Sequence, residues 1–212
     1  MRMFAALIGL VVSFSVATTS FAVGYTEGKE YIVLAERVVP KDPSKIEVAE
    51  FFSYACPHCY KFEPLLQAWA KKLPADVTLV QTHVSFNRPD WANYQRGYYT
   101  ILSLGVKEKV QDAVFNSIYI AHKNLGGAQD WADFLSLYDV DKHKTLNTFN
   151  SFGVNSQVKQ AEARTRDLKI PSTPAVVVDG RFRVAVADQQ EMLKVAQFLV
   201  ERVRAERAAA KH

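Results

Sequence analysis

Two cysteines occur in the 212 residues, Cys56 and Cys59, with two residues between them. Such a pair can bridge only itself, and closing so short a loop removes little chain entropy. The fold must therefore come from an apolar core, and the cysteines are free for other work. Hydrophobic residues make up 49 % and charged residues 23 %. That composition excludes a disordered chain or a coiled coil and suits one large domain, or one domain enclosing a second. The net charge of +4 is spread without a basic run, so nothing points to nucleic acid.

The N-terminus has one positive charge at Arg2, an apolar run from Met3 to Val12, and the small-residue pattern Ser20-Phe21-Ala22. These are the parts of a secretory signal peptide over 1–22, cleaved after Ala22. The apolar run falls short of the ~20 residues that a spanning helix needs, so a soluble exported protein is expected. Export makes disulfide chemistry available to Cys56 and Cys59.

From Tyr25 to about Phe86 the pattern is strand-rich. Tyr31–Leu34 reads as a short strand, Ile46–Tyr54 as a buried strand and Val77–Val84 as another. Pro57–Lys72 between the last two reads as a helix with proline at its first position and a kink at Pro64. The unit is βαβ with a parallel pair. From about Asn87 to Leu168 the spacing is helical. Val110, Val114, Ile118 and Ala121 form one stripe, Trp131, Phe134, Leu135 and Tyr138 a second, and Val154, Val158, Ala161, Thr165 and Leu168 a third. Strand pattern returns at Ala175–Val178 and Arg181–Val186, a hairpin turning at Asp179-Gly180. A closing helix carries Met192, Ala196, Leu199 and Val203 on one face, and the tail after Arg204 is expected to fray. The expected organisation is a signal peptide (1–22), the first part of an α/β domain (23–86), a helical insertion (87–168) and the second part of the α/β domain (169–212).

The motif Cys56-Pro57-His58-Cys59 follows a strand and opens a helix. At a helix N-cap, free backbone N–H groups and the positive end of the dipole favour a thiolate on Cys56. His58 adds a nearby donor. Stabilising the thiolate stabilises the dithiol form, which makes the disulfide a stronger oxidant. Cys59, one turn inside the helix, is the resolving thiol. A structural zinc site would need four ligands, and His83, His122, His143 and His212 show no ligand spacing. Covalent haem would need CxxCH, but Tyr60 follows Cys59. A cysteine hydrolase would be short-circuited by a second thiol at this spacing. No metal or cofactor is expected. A proline entering a strand at Thr173-Pro174 is a place where a cis bond would let the backbone approach the CxxC and pair with an extended peptide.

The run from Glu50 to Glu63 (EFFSYACPHCYKFE), His83-Val84-Ser85-Phe86, Thr173-Pro174 and the segment from Tyr25 to Tyr31 together resemble the DsbA-type thiol:disulfide interchange proteins. The resemblance covers nearly all of the chain after the signal peptide. It implies a thioredoxin-like fold with an inserted all-helical subdomain. It also implies a periplasmic oxidase that passes a disulfide to reduced, unfolded exported polypeptides, and a monomer. Re-oxidation would fall to a DsbB-like quinone-linked membrane protein. The family is known for a depressed cysteine pKa and an oxidising potential. By the same resemblance Cys56 matches the nucleophile, Cys59 the resolving thiol, His58 the thiolate stabiliser and Pro174 the cis-proline. Glu50 and Glu63 match acidic residues near the active site. A strand Glu beneath the CxxC could relay the proton of Cys59, and a partly exposed strand carboxylate is the plainer alternative. Ala55 and Thr173 depart from residues common in the family, and both line the substrate face. A periplasmic reductase or isomerase, and a non-catalytic peptide-binding chaperone, are the alternatives.

Overall fold

Strand β2 (Ile46–Phe52) has all seven residues buried because it is central in the sheet and both its faces are covered. It pairs in parallel with β3 (Val77–His83), Phe52 opposite His83, and antiparallel with β4 (Ala175–Val178), Phe51 opposite Ala175. The computed structural model describes residues 24–210, so the expected signal peptide lies outside the described residues, as does His212. With β1 (Tyr31–Val33) and β5 (Phe182–Val184) the sheet order is β1-β5-β4-β2-β3. The alternation of β2 sends Ile46 and Val48 into one core and Ala49 and Phe51 into another.

The first of these cores is closed by α1 (Pro57–Ala70) and α7 (Gln189–Ala209). Helix α7 presents Met192, Leu193, Val195, Ala196, Leu199, Val200 and Val203, all buried. Each fully buried Leu or Val in this stripe contributes roughly 1.5–3 kcal/mol. Arg204 and Arg207 overturn the expected fraying after Arg204, and the helix runs on to Ala209. Arg204 grips Asp76 through two hydrogen bonds of 2.7 and 3.0 Å. Arg207 donates to the Asp179 carboxylate at 2.7 Å and to the carbonyls of Pro43 and Lys45. Asp179 and Gly180 have φ of 56° and 61°, the two left-handed residues that a tight hairpin between β4 and β5 demands. A Cβ on Gly180 would meet the Val38 carbonyl oxygen.

Between β3 and β4 the chain builds five helices: α2 (Pro89–Ser103), α3 (Lys107–Tyr119), α4 (Ala128–Ser136), α5 (Lys142–Phe149) and α6 (Phe152–Asp167). Their core holds Val110, Val114, Trp131, Leu135 and Val154, and it also takes in Phe52, Tyr54, Cys56 and Cys59. Ala121 lies beyond the end of α3 and is exposed, because the helix stops at Tyr119 and the chain turns away. Gly97 lets α2 approach α4 so closely that a Cβ would fall 1.9 Å from the Trp131 ring. The arrangement is α/β and thioredoxin-like, βαβ then ββα, with helices inserted between the halves. Among the described residues no helix is long and apolar enough to cross a membrane.

Candidate active site

Strand β2 ends at Phe52, and Ser53-Tyr54-Ala55 turns the chain into α1. The Cys56 N–H donates to the Ser53 carbonyl at 3.1 Å, closing that turn. Cys56 is the N-cap of α1 with extended backbone (φ −99°, ψ 112°), and Pro57 follows at the first helical position. Proline costs nothing there, since the first N–H groups of a helix lack intrahelical partners. Both cysteines are free thiols and both are buried, Cys56 at 5 % exposure and Cys59 at 1 %.

Their environments drive them apart. A hydrogen bond from the Cys59 thiol is the main influence on Cys56, and the Thr173 side chain and the backbone N–H groups of Cys59 and His58 add to it. Together they outweigh burial and bring the Cys56 thiol down to about 5. Burial, the bond given to Cys56 and the nearby Glu50 push Cys59 well above the ordinary thiol range. The two shifts run in opposite directions, so the anion is favoured on Cys56 and the proton on Cys59. Pro57 and His58 are exposed. His58 reaches the sulfur through its backbone N–H, while its carbonyl accepts from Gln189 at 2.7 Å. Among the described residues its imidazole has no hydrogen-bond partner.

The Thr173–Pro174 peptide bond is cis. The Thr173 carbonyl lies 3.4 Å from the Cys56 sulfur, which as a thiol donates to it. Beside it an open groove of about 510 Å³ is lined by His58, Pro171, Thr173, Pro174, Val184 and Met192. Ala55 and Pro57 line a second open groove, with Trp91, Tyr94 and Tyr119.

Beneath the sulfurs lie two buried carboxylates. Glu50 on β2 is fully buried and Glu63 on α1 is 2 % exposed. Gln81, the register partner of Glu50 on β3, donates to both, at 2.8 and 3.0 Å, and Gln67 donates to Glu63 at 2.9 Å. Burial first, then mutual repulsion, raises Glu50 well above the carboxylate range, and burial raises Glu63. The plainer alternative of a partly exposed Glu50 does not hold. One Glu50 oxygen, Oε1, has no partner among the described residues. Tyr54 and Gln111 close this pocket with a 2.5 Å hydrogen bond between them. Gln67, Gln81 and Gln111 escaped the sequence reading. The one usable signal was a polar Gln81 inside an otherwise strand-like run, and it gains meaning only once β2 and β3 are in register.

The model of the DSBA-like thioredoxin domain family matches residues 47–199. The chain is 41 % identical over 190 residues to the thiol:disulfide interchange protein DsbA of Pseudomonas aeruginosa, covering 88 % of each chain. It superposes on the crystal structure of Pseudomonas aeruginosa DsbA with a TM-score of 0.81 at 40 % identity, covering 89 % of this chain and 97 % of that one. The oxidoreductase DsbA from Xylella fastidiosa matches with a TM-score of 0.81 at 31 % identity, over 85 % of this chain and 98 % of that one.

Proposed function

The chain belongs to the DSBA-like thioredoxin domain family and is a thiol:disulfide oxidoreductase, and on that basis we propose that it oxidises reduced, unfolded exported polypeptides in the periplasm. The observation that carries the direction is the divergence of the two sulfurs, Cys56 held down to about 5 and Cys59 pushed up. A stabilised thiolate favours the dithiol form, so the disulfide readily accepts two electrons.

In the cycle a substrate thiolate attacks the Cys56 sulfur of the Cys56–Cys59 disulfide. A mixed disulfide forms and Cys59 leaves, taking a proton. Glu50, which burial favours in its protonated form, lies beneath the pair and would supply that proton, while Gln81 donates to both Glu50 and Glu63 and holds the two carboxyl groups side by side. A second substrate thiolate then attacks the substrate's own sulfur, and Cys56 departs as the thiolate. One substrate disulfide has formed and one protein dithiol remains. Pro57 starts the helix and His58 borders the groove beside the thiolate, while Thr173 and Pro174 offer backbone to the extended substrate. The groove along Pro171–Pro174 would seat residues flanking the substrate cysteine. Removal of 1–22 and return of the electrons through a DsbB-like quinone-linked membrane protein complete the reading, with the protein acting as a monomer.

The test is equilibration with a glutathione buffer beside an assay of reduced unfolded substrate. We expect the pair to be reduced at mildly oxidising ratios and Cys56→Ser to abolish substrate oxidation. A pair that stays oxidised until the buffer is strongly reducing would make the protein a reductase. Activity retained in Cys56→Ser would remove Cys56 as nucleophile.

A further inference from the structure

His83 ends β3 opposite Phe52, is fully buried, and takes no part in the exchange just described. Its ring packs among Phe52, Tyr54 and Tyr98, with centroids 5.0, 5.1 and 5.8 Å away. The β2–β3 ladder makes its last bond from the Val84 N–H to the Phe52 carbonyl, and then β2 turns off the sheet. The next inward-facing backbone donor, the Tyr54 N–H, would be stranded in the interior. It donates instead to His83 Nε2 at 2.9 Å.

That bond fixes the middle of the turn whose ends touch the sulfurs. Tyr54 lies between Ser53, whose carbonyl receives the Cys56 N–H and whose backbone N–H supports Cys59, and Ala55, whose N–H donates to the Ser53 hydroxyl at 3.2 Å. The His83 carbonyl in turn accepts from Gln95 at 2.8 Å and from the Tyr99 hydroxyl at 3.4 Å, both on α2. For Nε2 to accept, the ring must be neutral with its proton on Nδ1, and Nδ1 has no partner among the described residues. A buried unpartnered donor is costly. Packing alone would be served as well by a phenyl ring, so the imidazole is there for its acceptor.

We propose that His83 is a positioning residue for the thiolate, its Nε2 holding the Tyr54 N–H so that the turn presents Cys56 at the helix N-terminus. The proposal rests on Cys56 being the reactive sulfur, but its readout is the ionisation of Cys56, which is measurable whatever the direction of catalysis. His83→Phe keeps the ring and removes the acceptor, and His83→Gln restores an acceptor at the reach of Nε2. The Cys56 thiolate absorbance is titrated in each variant, beside its equilibrium with glutathione. In His83→Phe we expect the titration to move up and the equilibrium to shift about fivefold toward a weaker oxidant, the effect of one lost hydrogen bond. His83→Gln should return both to wild-type values. A His83→Phe protein that loses thermal stability while its Cys56 titration stays put would show a packing role and overturn the proposal, as would His83→Gln behaving like His83→Phe. If His83→Phe does not fold, the ring nitrogen NMR signals of the wild-type protein decide. A proton on Nδ1 with Nε2 coupled to the Tyr54 amide supports the proposal, and the opposite tautomer ends it.

Discussion

Acidification should erase a stability advantage that the dithiol form holds over the disulfide form. The disulfide has no thiol to titrate, so it is the internal control. With the folded Cys56 thiol at about 5 and an unfolded thiol at about 8.5, linkage gives the dithiol form about 2.7 kcal/mol at pH 7. The folded pKa is the depressed one, so the contribution is complete above the unfolded value and is lost as pH falls through the folded one. It shrinks to about 0.4 kcal/mol at pH 5 and to under about 0.1 kcal/mol at pH 4. Cys59 does not disturb this window, because its raised pKa keeps it protonated in the fold and an unfolded thiol is protonated below pH 7 as well. Glu50 and Glu63 are present in both redox forms and leave the difference except through their coupling to the Cys56 charge. Guanidinium unfolding of both forms between pH 4 and 7 measures the gap directly. A gap that does not change with pH, or one that opens only above pH 8, would refute the claim that Cys56 is ionised at neutral pH.

Glu50→Gln should slow the Cys59 half of the exchange at least about tenfold, since it removes a general acid, read as slower formation of the mixed disulfide when the oxidised protein meets a substrate thiol. The same substitution should stabilise the fold. Glu50 has a raised folded pKa, so its cost is absent below about pH 4 and grows as pH rises; a stability gain that is flat with pH would contradict the assignment. Gly97→Ala should cost about 1–3 kcal/mol or more by overpacking against Trp131, seen as a lower denaturation midpoint with the Cys56 titration unchanged.

The elements nearest the dithiol could be read from the chain because their signals are local. An apolar run at Ile46–Phe52, a proline after Cys56 and an Asp-Gly pair each dictate backbone geometry within a few residues. The helical stripes through Val110, Trp131 and Val154 were visible for the same reason. Helices α2 and α5 showed no stripe of their own, since α2 buries Gln95, Tyr98, Tyr99 and Thr100 and so mixes polar with apolar on its inner face. The persistence of α7 past Arg204 depended on partners at Asp76 and Asp179, which no window along the helix contains. The site divides the same way. Cys56 at a helix mouth was legible, but the Gln81 bridge needs a strand register and the His83 acceptor needs the point where a ladder stops. His58 was expected to act through its imidazole, and its backbone N–H also favours the thiolate. A motif names a residue without saying which of its atoms is used.

The contact between the Cys56 sulfur and the Thr173 carbonyl spans 117 residues of chain. That oxygen arrives only when five helices have been threaded between the two halves of the sheet and β4 has docked on β2. The Cys59 thiol and the backbone N–H groups that favour the Cys56 anion sit within the first turn of α1, so they are in place before that oxygen is. Ionisation of the sulfur is thus a local property and the wall that meets a client a global one, so an unfinished copy would carry a reactive sulfur before it has a place to seat its substrate.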